Sequence, residues 1–141
     1  MKDIDGAKQT LSQAKAIQLI KGRVPPFFIS SYLMSRFLFD LLRLEESLLS
    51  QDKSNSSKYR KKAYQSGKKA LSISFKHACD RTEAMRLIGS YHWLIGNQHK
   101  ASRWWNKSVA EGERLGARVE LARTYMAVSY THLTLPTTPY V

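Results

Sequence analysis

The stretch that decides the fold covers residues 81–116 and has the sequence RTEAMRLIGSYHWLIGNQHKASRWWNKSVAEGERLG. Gly96 stands near its middle as a turn signal, and Gly116 stands where a helix would end. On both sides of the turn, apolar residues recur every three or four positions, which is the spacing of an amphipathic helix. The stretch therefore predicts a helical hairpin with helices over 81–95 and 98–115.

Parts of this hairpin recur along the chain with a nearly constant period. After 37 residues, Arg81, Glu83 and Arg86 recur as Arg118, Glu120 and Arg123. After 38 residues, Lys62, Ala63, Lys69 and Ala70 recur as Lys100, Ala101, Lys107 and Ser108. A fixed period of this length is typical of proteins built from stacked helix pairs, each packed on its neighbours. The repeat is most evident between residues 59 and 125.

Small residues mark where the helices of a pair would cross. Ala101 and Ser108 are seven residues apart, so they share one stripe of the second helix and allow close approach. Trp105 follows one turn after Ala101 and is large enough to fill the groove between hairpins. Gly89 offers a close approach on the facing helix.

Working outward from the hairpin, the pattern predicts an all-α fold of antiparallel helix-hairpin repeats with about six helices. The other helices are expected at about 8–21, 27–49, 57–77 and from 117 onward. Ser56 or Ser57 is predicted to cap the third helix, and Asp80 or Thr82 the fourth. Phe28 is expected on the buried side of the second helix, and Phe75 on that of the third.

The second predicted helix is apolar enough that a membrane span must be considered. Charged residues interrupt it at Arg36, Asp40, Arg43, Glu45 and Glu46. A span needs about 20 mostly apolar residues, and charges near its centre are costly. The segment is therefore predicted to be a buried helix and not a membrane span.

The chain is strongly basic, with 23 Lys and Arg against 11 Asp and Glu and a formal charge of +12. Such an excess favours an acidic partner, which could be nucleic acid, an anionic membrane surface or an acidic protein segment. The alternative is a solvated basic face without a ligand. The cations concentrate on the third helix, at Lys58, Arg60, Lys61, Lys62, Lys68, Lys69 and Lys76.

The sequence carries no recognisable reactive centre. The four histidines and single cysteine lack zinc-ligand spacing, and no glycine-rich phosphate loop is present. Glu45 and Glu46 are neighbours on a helix and point apart, so they do not form an acid/base pair. We predict no catalytic, cofactor or metal site, and so no enzymatic activity.

Cys79 has no disulfide partner and no signal peptide is evident, which indicates a reducing, cytoplasmic location.

The spacing of several of these residues resembles the tetratricopeptide pattern. Gly89, Gly96, Ala101, Trp105 and Ser108 stand at the small, turn and aromatic positions of that family. The chain departs from the pattern at His92, where an aromatic residue is usual, and its period exceeds the common 34. This resemblance implies a scaffold that binds a protein or peptide.

Residues 91–125, YHWLIGNQHKASRWWNKSVAEGERLGARVELARTY, are also similar to the terminal helical region of very large signalling proteins. Those proteins join an ATPase module to a protein kinase, a histidine kinase or a nucleotide cyclase. The similarity implies that the chain is a non-catalytic fragment of such a protein. Its partners would then be a separate protein or other domains of the parent.

The residues expected to contact a partner lie on the fourth helix. They are Glu83, Arg86, Ser90 and Trp93, which follow each other at helical spacing. Trp93 has a second interpretation as a core residue, because aromatic residues at this spacing usually pack. Two other functions stay open, a basic helical nucleic-acid-binding module and a purely structural spacer between domains.

The last fourteen residues, 128–141, have the sequence VSYTHLTLPTTPYV, without a charged residue and with two prolines. They resemble the translation of a sequencing adaptor, which would make them foreign to the gene. The alternative is a short β-like tail. We therefore predict a helical-repeat region over 1–127 and a non-native tail over 128–141, disordered or irregular in structure.

Overall fold

The computed structural model describes the backbone of residues 3–21 and 24–134, and the side chains of all of these except 18–21 and 131–134. These residues form six α-helices and no β-strand, which confirms the predicted all-α class. The helices are α1 (Ile4–Lys21), α2 (Pro26–Leu49), α3 (Lys53–Ser74), α4 (Ala78–Leu94), α5 (Gln98–Leu115) and α6 (Arg118–Thr134). None of them is both long and apolar enough to cross a membrane.

The chain divides into two compact units, residues 1–80 (unit 1) and 81–141 (unit 2). Unit 1 contains α1, α2, α3 and the first residues of α4. Unit 2 contains the rest of α4 together with α5 and α6. Each unit is described by itself below.

The core of unit 1 lies between α2 and α3. Phe37 and Leu44 of α2 are almost completely buried, and they repeat at the spacing of one helix face. On α3, Ala63 and Ala70 are fully buried, and the other buried residues are Ser66, Gly67 and Ser74, so the buried face of this helix carries only small side chains. Small residues at such a contact let two helix axes approach closely.

Two aromatic residues of unit 1 were expected in the core and are exposed instead. Phe28 is 60% exposed because it lies about half a turn from the buried face of α2 that contains Phe37. Phe75 is 58% exposed. It follows the last residue of α3 as the C-cap, so it leaves the face that Ala70 occupies.

The predicted caps of α3 and α4 are wrong. Asp52 caps α3, where its carboxylate accepts a hydrogen bond of 3.1 Å from the Asn55 amide. Asp is among the best N-cap residues, so the helix begins several residues before Ser56. In α4, which begins at Ala78, Asp80 and Thr82 both lie inside the helix.

The ends of α5 agree with the sequence prediction. The Asn97 side chain caps the helix and accepts a hydrogen bond of 3.1 Å from the Lys100 amide. At the other end, Gly116 has a φ of 64°, the left-handed conformation that glycine adopts without strain. Gly96, with a φ of 81°, makes the turn from α4. The hairpin of α4 and α5 therefore forms where it was expected.

The final helix continues into the segment that was expected to be irregular. α6 extends to Thr134, so residues 128–134 are helical. These residues contain neither glycine nor proline, and the first breaker is Pro136. Residues 135–141 lie outside the described part of the chain. The helical backbone does not bear on the origin of the segment, which stays a prediction.

Candidate partner-binding surfaces

The seam between α4 and α5 is built around Trp105. Its indole ring is 4% exposed and lies directly against Gly89, where an added methyl group would overlap the ring. The indole Nε1 donates a hydrogen bond of 3.2 Å to the backbone oxygen of Arg86. This contact lies inside the hairpin of α4 and α5, whereas the sequence indicated a groove between hairpins for Trp105, and it fixes α4 relative to α5.

A buried hydroxyl group joins all three helices of unit 2. Ser108 is fully buried, and its Oγ donates a hydrogen bond of 2.8 Å to the backbone oxygen of Thr82 on α4. The same Oγ lies 3.0 Å from Thr124 Oγ1 on α6. The sequence indicated a small residue at this position, but the polar link to α6 could not be inferred from size alone.

The four residues predicted to contact a partner share one face of α4. Glu83, Arg86, Ser90 and Trp93 are all half-buried. The Arg86 guanidinium lies 3.6 Å from Glu83, and Ser90 Oγ donates a hydrogen bond of 3.3 Å to the Arg86 backbone oxygen. Trp93 packs on Trp105, with ring centroids 6.0 Å apart. Trp93 is thus partly a packing residue, as its second interpretation held.

Helix α6 adds two residues to this face. Glu120 Oε2 lies 3.7 Å from Arg86 Nε, and Glu120 also forms an ion pair with Arg123 on its own helix. The result is a line of alternating charges, Glu83, Arg86, Glu120 and Arg123, which we call the charge row. Glu120 and Arg123 were identified only as the repeat counterparts of Glu83 and Arg86. That repeat was the one signal that could have assigned them to the face.

Two buried polar atoms in the charge row have unused hydrogen-bonding capacity. Neither Arg86 Nε nor Glu120 Oε2 has a hydrogen-bond partner among the described residues. Their mutual distance of 3.7 Å is an ion pair but is too long for a hydrogen bond. Both atoms are enclosed by the protein, and their ion pair with each other is the contact that balances their charges.

A second ion-pair cluster of unit 2 ties α4 to α5. Glu111 accepts hydrogen bonds of 2.7 Å from Arg114 and 3.0 Å from Arg81. Both contacts lower the pKa of Glu111, to about 2, and the contact with Arg114 has the larger effect. At the other end of α4, burial and the charge of Lys100 lower the pKa of His92, which favours its neutral form. The cluster has a structural explanation and no feature of a reactive site.

In unit 1, the exposed side of α3 is uniformly basic. Helix α3 contains no acidic residue, and its cations extend into solvent without an ion pair among the described residues. We call this surface the cationic face. Its members are Lys58, Arg60, Lys61, Lys62, Lys68, Lys69 and, just beyond the helix, Lys76.

The cationic face ends in a hollow of about 330 Å³, which we call the lysine hollow. Half-buried Leu33 and Ile73 contribute its apolar surface. The remaining lining residues are Lys68, Lys69, Ser72 and Lys76. The three lysine side chains line the hollow beside this small apolar patch. The sequence did not indicate this arrangement, because Leu33 comes from a different helix.

Unit 1 also contains an open groove of about 920 Å³ between α1 and α2. Its lining residues include Leu11, Ile17, Phe28 and Leu42, and none of the described side chains that line it is charged. The exposed Phe28 therefore belongs to the wall of this groove. Concave apolar surfaces of this size are typical of places where proteins bind ligands or other chains.

The described residues contain no group of three or more His, Cys, Asp or Glu side chains arranged to bind a metal ion.

The thiol of Cys79 is exposed, and partial desolvation together with the Asp80 carboxylate raises its pKa. A raised pKa leaves the sulfur protonated at neutral pH, in which form it is a weak nucleophile.

Comparison with protein-family models, with curated proteins and with solved structures gives no match to this chain.

Proposed function

We propose that the chain is a non-catalytic protein–protein interaction scaffold that binds a peptide segment along the charge row of unit 2. The observation that carries this proposal is the charge row, in which two carboxylates and two guanidinium groups of α4 and α6 alternate on a partly exposed surface. Charge-assisted hydrogen bonds to such groups are among the stronger ones, so a peptide that pairs with their accessible atoms is favoured.

A polypeptide has the chemistry that these groups require. A backbone carbonyl oxygen can accept from Arg123, whose side chain is 56% exposed, and a backbone or side-chain N–H can donate to Glu83, which is 30% exposed. Trp93 stands on the same face of α4 and offers a ring edge for an apolar side chain of the peptide. The hydrogen bonds among α4, α5 and α6 hold the site before a ligand arrives, which limits the entropy lost on binding.

The proposal extends to the biological setting of the scaffold. We propose that the chain belongs to a larger cytoplasmic signalling protein that combines ATPase with kinase or cyclase domains. The similarity of residues 91–125 to the helical region of such proteins supports this setting. Sequencing the source DNA on both sides of the gene tests it. Upstream ATPase, kinase or cyclase motifs are the expected result, and an independent read is expected to replace residues 128–141 with another sequence.

The binding face is tested by selecting displayed peptides on the whole chain and measuring the affinity of the best peptide by calorimetry. The double variant Arg86→Glu with Trp93→Ala should lower the affinity for this peptide at least about tenfold, since it reverses one charge and removes one ring. The matched control is Arg103→Glu with Trp104→Ala on α5, which changes the same residue types outside the charge row. The control is expected to bind as the parent chain does.

Circular dichroism melting establishes that both variants are folded, because Trp93 also packs on Trp105. Equal losses in the two variants would count against the charge row as the binding face. Failure of any peptide to bind the parent chain would favour the alternative of a structural spacer.

A further inference from the structure

We propose that the cationic face and the lysine hollow of unit 1 form a second binding site, for an acidic peptide segment that carries one aliphatic side chain. This site is separate in sequence and chemistry from the charge row of unit 2. It assigns a ligand class to the basic charge of the chain, which the proposed function leaves without a role.

Four lysines of the cationic face form a continuous line. Lys58, Lys62, Lys69 and Lys76 are separated by four, seven and seven residues, so the helical positions fall within one narrow stripe of α3. At 1.5 Å per residue the line is about 25 Å long. All four side chains are exposed, and none forms an ion pair among the described residues.

The charge on this surface favours an anionic ligand. Like charges three or four residues apart on a helix destabilise it, and α3 has no acid to offset them. A partner with several carboxylates relieves this repulsion. It would also be drawn to the surface from a distance by the net charge of +12.

The lysine hollow distinguishes an acidic peptide from a nucleic acid. Its apolar surface comes from Leu33 and Ile73, which are aliphatic and fit a leucine-sized side chain. Lys68, Lys69 and Lys76 also line the hollow, and three cations beside an apolar patch favour a peptide with carboxylates next to its apolar residue. No aromatic ring lines the hollow, whereas single-stranded nucleic acids are bound largely by stacking on such rings.

The probes for the test are two synthetic peptides of glutamate, one with a central leucine and one with serine in its place. A single-stranded oligonucleotide of equal charge is the third probe. Fluorescence anisotropy with the full chain at low salt should give the leucine peptide an affinity about tenfold above that of the serine peptide. The substitution Ile73→Ser should remove this difference and leave the affinity for the serine peptide unchanged.

Two charge variants locate the site. The first variant combines Lys68→Gln, Lys69→Gln and Lys76→Gln. It should lower the affinity for the leucine peptide at least about tenfold. The matched set Lys8→Gln, Lys15→Gln and Lys53→Gln removes the same charge from exposed side chains outside the cationic face and should cost less than about threefold. All these side chains except Ile73 are exposed, so folding should be retained, and circular dichroism checks it.

Three results would overturn the proposal. Equal affinity of the two peptides would remove the role of the apolar patch. Equal losses in the two lysine sets would leave only a general effect of charge. Tighter binding of the oligonucleotide than of either peptide would assign the surface to nucleic acid. Binding at the charge row is measured with different variants, so either proposal can fail alone.

Discussion

At the scale of single residues, unit 2 depends on contacts that tolerate no added atoms. Gly89 is in the middle of α4, where glycine is less favourable than alanine by about 1 kcal/mol. It is nevertheless required there, because the Trp105 ring occupies the space of a side chain. The sequence indicated a close approach at Gly89 and a groove for Trp105, but not that these two residues meet. It could not indicate that the ring would also hydrogen-bond to α4.

We predict that Gly89→Ala destabilises the chain by about 1–3 kcal/mol, since overlap with the buried indole outweighs the gain in helix propensity. Urea unfolding followed by tryptophan fluorescence measures the change. Ser90→Ala is the control at the next position and should be nearly neutral. Gain of stability in Gly89→Ala would show that the ring can move aside at little cost.

The pKa of Glu111 makes the stability of unit 2 depend on pH. Its folded pKa of about 2 lies below the ordinary value of 4.5, so ionised Glu111 stabilises the fold above about pH 4.5. This contribution decreases as the pH falls toward 2. We predict that Glu111→Gln is less stable than the parent chain at pH 7 and that the difference disappears toward pH 2. Urea unfolding at a series of pH values tests this, and a constant difference would contradict it.

At the scale of elements, the helix ends that could be predicted were those with a single strong signal. Gly116 follows α5 and ends it as expected, whereas the cap at Asn97 was not predicted. The start of α3 was missed because Asp52, Ser56 and Ser57 are all good caps and stand close together. Which one is used depends on where α2 ends and on the turn at Gln51, whose φ is 56°.

We predict that Asn97→Ala lowers the stability of unit 2 by about 1 kcal/mol, because it leaves the Lys100 amide without its capping acceptor. Asn97→Asp keeps an acceptor at the same place and should lose much less. Thermal melting of the two variants makes the comparison. Equal losses would mean that the turn, and not the cap, sets the contribution of this residue.

At the scale of the whole molecule, the charge of +12 acts on stability as well as on binding. Net charge of one sign destabilises a compact chain by self-repulsion, and salt screens charges more than about 10 Å apart at 0.1 M. We predict that the melting temperature rises with sodium chloride concentration. The variant Lys58→Gln with Lys61→Gln and Lys62→Gln should show a smaller rise. A melting temperature that falls with salt would indicate that ion pairs outweigh the repulsion.

Prediction of the candidate sites from sequence was limited by tertiary contacts. The face with Glu83, Arg86, Ser90 and Trp93 could be predicted because its residues lie on one helix at helical spacing. The part played by Glu120 required the packing of α6 on α4, and the lysine hollow required Leu33 of α2 beside α3. Such pairings depend on which faces are buried, and helical periodicity alone does not determine them.

The distribution of the three tryptophans has a practical consequence for unfolding experiments. Trp93, Trp104 and Trp105 all belong to unit 2, and residues 1–80 contain none. Emission excited at the red edge of the indole band is therefore an optical label for unit 2 alone, present without chemical modification. Far-ultraviolet ellipticity, by contrast, sums the helices of both units. Superimposable curves from the two signals would mean a single cooperative transition, and displaced curves would reveal the order in which the units melt.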